Sequence, residues 1–248
     1  MRAFADHFSR LATGYATYRP QYPDGLFAAI AAANSSHEVV WDCATGTGQA
    51  VRGLAAHFGM VLASDASREQ ILAATPHRRA RYLVARAEAA PLPAGSACMV
   101  TVAQALHWLE PAEFYAEARR VLRPGGLLVA WTYGSQRVDR GPIDDVLLDF
   151  YERVIGPYWP PQRRWVETGY RTLRFPFDEI AIEAPPMYAD WNLGHLLGYI
   201  GTWSAVARCR EMSGTDPVAE LADRALPLWG DPTMPRRIEW PLSVRAGR

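Results

Sequence analysis

The run Trp41-Asp42-Cys43-Ala44-Thr45-Gly46-Thr47-Gly48-Gln49 leads from an apolar strand through a loop of small residues into a helical pattern. A turn of this kind sits at the carboxyl end of a strand, where open α/β sheets bind ligands. Its glycines let a ligand touch backbone, and the helix start adds the positive end of a dipole. The spacing argues against a dinucleotide. The G-x-G-x-x-G/A pattern begun at Gly46 puts Val51 in the third place, and begun at Ala44 it puts Gln49 there. A tight strand-to-helix turn without a ligand has the same composition, so the loop alone decides nothing.

Three further groups could do chemistry with it. Asp42, at the mouth of the loop, would repel a pyrophosphate and attract a ligand bearing ammonium and sulfonium charges, the charge distribution of S-adenosylmethionine. Asp65, closing Val61-Leu62-Ala63-Ser64-Asp65, can accept hydrogen bonds from both hydroxyls of a ribose, each worth roughly 1.5 to 3 kcal/mol to a charged acceptor. It can equally cap a helix beginning near Ser67. His107, in Gln104-Ala105-Leu106-His107-Trp108, follows a strand on the binding edge and is the candidate general base, with a reference pKa of about 6.5. A histidine beside tryptophan also serves as plain scaffold.

Further on, Arg153, Arg163, Arg164, Arg171 and Arg174 are interleaved with Trp159 and Trp165. Guanidinium forks suit carboxylates, although the same residues could form a salt-bridged surface over a tryptophan core. Arg19 is a further cation to watch. Trp191, Tyr199 and Trp203 could wall an apolar pocket or hold the cap in place.

Elements that position these groups are read from periodicity. From Glu38 to Trp131, short β-branched runs alternate with amphipathic patterns, as expected for a mostly parallel sheet with helices on its faces. Strands are predicted at Val39–Trp41, Met60–Ser64, Tyr82–Ala85, Cys98–Ala103 and Leu127–Trp131. Helices are predicted from the stripe Val51, Leu54, Ala55 and Phe58, from Ser67 to about Ala74, and from the stripe Phe114, Ala118, Val121 and Leu122. Ser67 with Gln70 reads as a capping box, and Pro124-Gly125-Gly126 as a turn. Beyond Gly134 prolines and tryptophans become dense. Helices are expected near Asp144–Ile155 and Leu193–Arg210, and a last strand over Ile238–Val244 that rejoins the sheet.

The chain has 248 residues, enough for one large α/β domain. Its division is expected to be an N-terminal helical and aromatic lid at 1–37, a cofactor-binding core at 38–134, a substrate cap at 135–215 and a return to the sheet at 216–248. Formal charge is +0, and all 26 basic residues are arginine. This balance argues against a broad cationic surface for nucleic acid. No apolar run reaches the ~18 residues of a membrane span. Cys43, Cys98 and Cys209 are odd in number and widely spaced, which suggests neither a disulfide framework nor a zinc site and fits a reducing cytoplasm. No His/Asp cluster suggests a metal, and a monomer or homodimer is expected.

Taken together, these residues resemble the class I S-adenosylmethionine-dependent methyltransferases, and in particular the group similar to trans-aconitate methyltransferases. The matching stretches are Trp41–Gln49, Ala63–Ile71, Ala87-Glu88 with Leu92-Pro93, Val102–Trp108 and Phe114–Trp131. The segments Phe4–Phe8 through Tyr15, Tyr18-Arg19-Pro20 and Tyr22-Pro23 join them, as does the aromatic C-terminal part. The resemblance implies a Rossmann-like α/β fold, with a mostly parallel seven-stranded sheet, helices on both faces and a cap inserted in the C-terminal half.

It further implies that Asp42, Ala44, Thr45, Gly46, Gly48 and Gln49 cradle the methionyl part of the cofactor, with Asp65 and Ala66 at the ribose. Ala87 and Glu88 would lie beside adenine, and Gln104 and Ala105 near the transferring methyl. Arg19, Tyr22, Trp108, Arg163, Trp165, Trp191, Tyr199 and Trp203 would face the acceptor. Two positions depart from the pattern. Ala44 stands where relatives have a glycine, which is tolerable if the backbone there needs no positive φ, and Arg86 stands where many have an acid toward adenine. The expected activity is O-methylation of a small organic acid or related metabolite, yielding S-adenosylhomocysteine. A non-methylating cofactor-binding protein or cyclase, and a nicotinamide-dependent oxidoreductase, are the alternatives.

Overall fold

In a computed structural model that describes residues 18–139 and 141–248, five strands lie side by side and parallel. They are β1 (Val39–Cys43), β2 (Met60–Asp65), β3 (Ala80–Val84), β4 (Ala97–Ala103) and β5 (Leu122–Tyr133). Two more, β7 (Glu179–Ile180) and β10 (Leu242–Gly247), extend this sheet antiparallel, giving the order β3-β2-β1-β4-β5-β10-β7. A second, antiparallel sheet holds β6 (Arg137–Val138), β9 (Arg236–Trp240) and β8 (Met187–Trp191). The stretches Phe4–Phe8 and Tyr15, and with them residues 1–17 of the expected lid, lie outside the described residues.

Alternation of side chains divides the core between the two faces of the main sheet. Val40, Met99, Leu127, Val129 and Trp131 pack on one face with Leu26, Phe27 and Ile30 of α1 (Asp24–Ala32) and Val51, Leu54 and Ala55 of α2 (Val51–His57). Trp41, Val100, Val102, Leu128 and Ala130 pack on the other with Phe114, Ala118 and Val121 of α4 (Pro111–Val121). Between them in the chain, α3 (Arg68–Leu72) starts at Ser67, whose hydroxyl accepts from the Gln70 N–H. That is half of the expected capping box.

The segment expected as a cap holds α5 (Pro142–Asp149), a π-helical turn at Phe150–Val154, α6 (Arg163–Glu167), α7 (Leu193–Gly201) and α8 (Ser204–Ser213), and α9 (Pro217–Trp229) opens the segment expected to return to the sheet. Two long sequence expectations are each broken in two. The helix expected over Leu193–Arg210 stops at Thr202, where the Thr202 hydroxyl and the backbone N–H groups of Thr202 and Trp203 bond back to the carbonyls of Tyr199 and Ile200. The strand expected over Ile238–Val244 is interrupted at Pro241, which has no N–H to offer a ladder, so its halves fall in different sheets. Strand β5 begins earlier than expected. Leu122 already pairs with Ala97, and the register then shifts across Pro124-Gly125-Gly126, with Gly125 at φ +75°.

Candidate functional site

The carboxyl ends of β1, β2, β4 and β5 open into one cleft of about 1210 Å³. That exceeds the roughly 300–1,000 Å³ of a typical single-ligand site, so there is room for two small molecules. On one side the cleft is lined by Ala44, Thr45, Gly46 and Gln49 of the loop, by Asp65, Ala66, Ser67 and Gln70 after β2, and by Ala85 to Ala89 after β3. Gln104, Ala105, His107 and Trp108 line its middle. Tyr133, Arg19, Tyr22, Trp159, Arg163, Tyr199, Trp203 and Arg208 complete the side toward the cap.

Loop geometry follows from a buried carboxylate beneath it. Asp42 accepts from Thr45 Oγ1 at 2.5 Å and from Thr101 Oγ1 at 2.8 Å. It sits in the centre of the sheet between β2 and β4, fully buried. Burial, partly opposed by those two hydroxyls, pushes its pKa up to about 6. Asp42 therefore lies under the loop rather than at its mouth, a correction to the position expected from sequence. Above it, Asp65 accepts from the Gly46 N–H at 2.9 Å and the Ser67 N–H at 2.8 Å, which ties the loop to the end of β2.

Gly46 and Gly48 take φ values of +59° and +83°. Ala44 takes φ +53°, so the condition on which an alanine would be free of strain at that position is not met. A left-handed backbone costs an L-residue about 1–2 kcal/mol. Gly48 does not line the cleft: a Cβ there would come within 2.8 Å of Tyr82 Oη, so its smallness makes room for that ring.

At the end of β4, Gln104 also has a positive φ, +52°. Its side chain is fixed to β5, with Oε1 accepting from Thr132 Oγ1 at 2.6 Å and the Tyr133 N–H at 2.9 Å. His107 follows on a 3-10 turn at Leu106–Trp108. Its Nδ1 is 2.9 Å from the hydroxyl of Tyr170. Burial and the nearby positive Arg163 hold its pKa down at about 3, so the ring is neutral at any pH near 7. A neutral ring is the form that can take a proton, and burial makes this one weakly basic.

The cap side is aromatic and cationic. Arg19 donates to Tyr133 Oη at 3.2 Å and lies over the Tyr199 ring at 5.5 Å. Arg163 stacks over Trp159 at 4.6 Å and donates to Tyr151 Oη at 2.7 Å, whose own proton goes to Glu167 at 2.7 Å. Burial pushes the Tyr133 phenol up to about 12, leaving it protonated. Trp165 and Trp191, expected to face the acceptor, do not line the cleft. Trp165 packs in the opposite core cluster, and Trp191 lies behind Tyr199, its ring centroid 4.9 Å from that of Trp240 and 5.5 Å from that of Tyr199.

Sequence reasoning gave no site role to Ser67, Gln70, Tyr133, Trp159, Arg208 or the buried Tyr170. Tyr133 carried a usable signal, since it ends the fifth parallel strand on the binding edge. The others come from the cap or from close packing that no local pattern encodes. Among the described residues no group of His, Cys, Asp or Glu is arranged to hold a metal ion, and no helix is long and apolar enough to cross a membrane.

Comparisons agree with this geometry. A family model described as a methyltransferase domain matches residues 41–130, the segment that builds the loop, β2, β3, β4 and most of β5. An uncharacterised methyltransferase of Mycobacterium tuberculosis is 35% identical over 226 residues, covering 81% of this chain and 88% of that one. A chain named as a methyltransferase in Dictyostelium discoideum is 29% identical over 226 residues, covering 90% and 86%. A solved structure named as a type II methyltransferase from Anaeromyxobacter dehalogenans is 44% identical, superposes with a TM-score of 0.86, and covers 93% of this chain and 98% of that one. With the loop, the strand order and near full-length relatives all in agreement, the chain belongs to the class I S-adenosylmethionine-dependent methyltransferases.

Proposed function

We propose that this methyltransferase acts on a carboxylate oxygen of a small organic acid, held between the end of β5 and the cap. The observation that carries this reading is the separation of charge within one cleft. Asp65, Glu88, Glu110 and Glu113 line the side of β2 and β3, where Arg86 is paired with Glu88 at 3.3 Å. Arg19, Arg163 and Arg208 line the side of the cap. A cationic cofactor and an anionic acceptor would therefore be drawn to opposite ends, with their reacting groups meeting near Gln104 and His107.

The residues present fit S-adenosylmethionine. Gly46 keeps the cleft side of the loop open, since a Cβ there would meet nothing nearer than Gln70 Oε1 at 3.8 Å. Asp65, with both oxygens already oriented by backbone N–H groups, stands where ribose hydroxyls could donate to its remaining lone pairs. Ala66, Ala85, Ala87 and Leu109 supply apolar lining against which adenine could pack. Bound cofactor supplies a methyl group made electrophilic by its sulfonium. The protein aligns the acceptor for in-line displacement, and such positioning supplies on the order of 7 to 11 kcal/mol. A carboxylate is nucleophilic without losing a proton, which agrees with a neutral His107. A hydroxyl acceptor would have to give its proton to a weakly basic His107, which favours the carboxylate.

The test is methyl transfer from a labelled donor to a panel of carboxylic acids and phenols. Label released by mild alkali, as expected of an ester, supports the proposal. Alkali-stable label on phenols alone would overturn it. Binding of S-adenosylhomocysteine without transfer to any acceptor would favour the non-methylating alternative.

A further inference from the structure

Tyr133, the last residue of β5, joins the two regions that the transfer needs. Its backbone grips the side-chain amide of Gln104: the Tyr133 N–H donates to Gln104 Oε1 at 2.9 Å, and the Tyr133 carbonyl accepts from Gln104 Nε2 at 3.2 Å. Gln104 stands where the reacting groups are proposed to meet. At its other end, the Tyr133 hydroxyl reaches the cations of the acceptor side and accepts from Arg19 Nη1 at 3.2 Å. The residue is 2% exposed and lines the cleft. Strand β5, paired on both sides by β4 and β10, fixes where it stands.

Chemistry settles the direction of the Arg19 bond. A guanidinium carries N–H donors and no acceptor, so the phenol oxygen must accept and its own proton is left over. Among the described residues the bond from Arg19 is the phenol's one hydrogen bond. Burial keeps the group protonated. A buried donor without a taker costs stability that a ligand can return by supplying the acceptor. Arg19 is itself held in place beside it. The carbonyl of the next residue, Pro20, accepts from Gln49 Nε2 at 2.5 Å, and the Arg19 guanidinium lies over the Tyr199 ring at 5.5 Å. On the other side, the Tyr18 ring packs so closely on Gly198 of α7 that a Cβ there would fall 2.4 Å from it.

We propose that Tyr133 is a specificity-determining residue for the acceptor: its hydroxyl donates to a carboxylate oxygen that Arg19 also holds, and the second oxygen is thereby turned toward Gln104. This role rests on the reading of the acceptor as an organic acid. The phenol keeps its proton throughout. A lone pair of the free carboxylate oxygen forms the new bond to the methyl carbon, and the electron pair of the breaking carbon–sulfur bond leaves with sulfur.

The experiment measures methyl transfer to the best acid of the panel by the native chain, Tyr133→Phe, Arg19→Leu and the double variant, with S-adenosylhomocysteine calorimetry on each. Tyr133→Phe keeps the ring that packs 6.2 Å from Tyr22, and its affinity for S-adenosylhomocysteine should stay within about twofold. Its kcat/KM for the acid should fall roughly 10- to 100-fold, with the change carried by KM. Arg19→Leu separates direct donation from a merely structural part. A hydroxyl that served only to hold Arg19 would cost nothing to remove in that background, whereas the proposal expects a further loss of about tenfold. An unchanged kcat/KM in Tyr133→Phe, or a loss that vanishes when Arg19 is already leucine, would overturn the proposal and leave the acid reading standing. A native chain that methylates phenols and no acid would overturn the acid reading and this role with it.

Discussion

At the β2–β3 end of the cleft, recognition rests on backbone groups and short carboxylates fixed by the sheet; at the cap end it rests on long arginine side chains laid over aromatic rings. Asp65 is held by two N–H groups belonging to the loop and the next turn, whereas Arg163 is held by the Tyr151 hydroxyl and the face of Trp159. The first arrangement suits a ligand of constant structure, because strand ends and their hydrogen bonds move little. The second suits an anionic group of varied shape, because a guanidinium on a long stem can swing to meet it. Cofactor binding and acceptor selection should therefore be separable by mutation.

The largest effect is expected at the cap end. Arg163→Ala should lower kcat/KM for a carboxylate acceptor by roughly 10- to 100-fold, since a hydrogen bond to a charged group is worth about 1.5–3 kcal/mol. Affinity for S-adenosylhomocysteine, measured by calorimetry, should stay within about twofold. A comparable loss of both would erase the distinction between the two ends. Asp65→Asn is the reciprocal change, with an expected weakening of S-adenosylhomocysteine by about tenfold and little change in acceptor KM at saturating cofactor.

Much of the first end was legible in the sequence and less of the second, for a physical reason. Strand ends, glycines and the Ser67 cap are set by local periodicity and backbone geometry, so Thr45, Gly46, Asp65, Gln104 and Ala105 could be placed on the cleft from spacing and resemblance. Cap residues meet through contacts distant in sequence, and nothing local says which face of an aromatic ring is turned inward. Trp165 and Trp191 thus pack away from the cleft although their composition suggests an acceptor wall, while Trp159 lines it with no local signal. Asp42 went wrong in depth rather than in place, because its burial depends on Thr101 from a strand about sixty residues away.

Two smaller effects sharpen the contrast. Ala44→Gly should relieve the left-handed backbone at φ +53° and stabilise the fold by about 1 kcal/mol, or some 2–4 °C in Tm for a chain of this size. No change in Tm would show that the loop carries no strain there. His107 should add no inflection to the activity profile between pH 6 and 8, because its folded pKa is near 3. The linkage has a definite sign. The unfolded chain, with this ring near 6.5, takes up the extra proton between pH 3 and 6.5, so the contribution of His107 to stability is full above that window and is lost as the pH falls through it. Asp42, raised to about 6 when folded, works in the opposite direction, with stability lost as pH rises from about 3.8 to 6. Denaturant titrations of His107→Gln and Asp42→Asn against the native chain should separate the two.

The most direct test of the central claim, that the cationic end of the cleft selects an anionic acceptor, is the initial rate of methyl transfer to a carboxylic acid compared with its primary amide, a pair matched in size and shape. The account predicts transfer to the acid, with a rate for the amide lower by about 100-fold or more; equal rates, or preference for the amide, would contradict it.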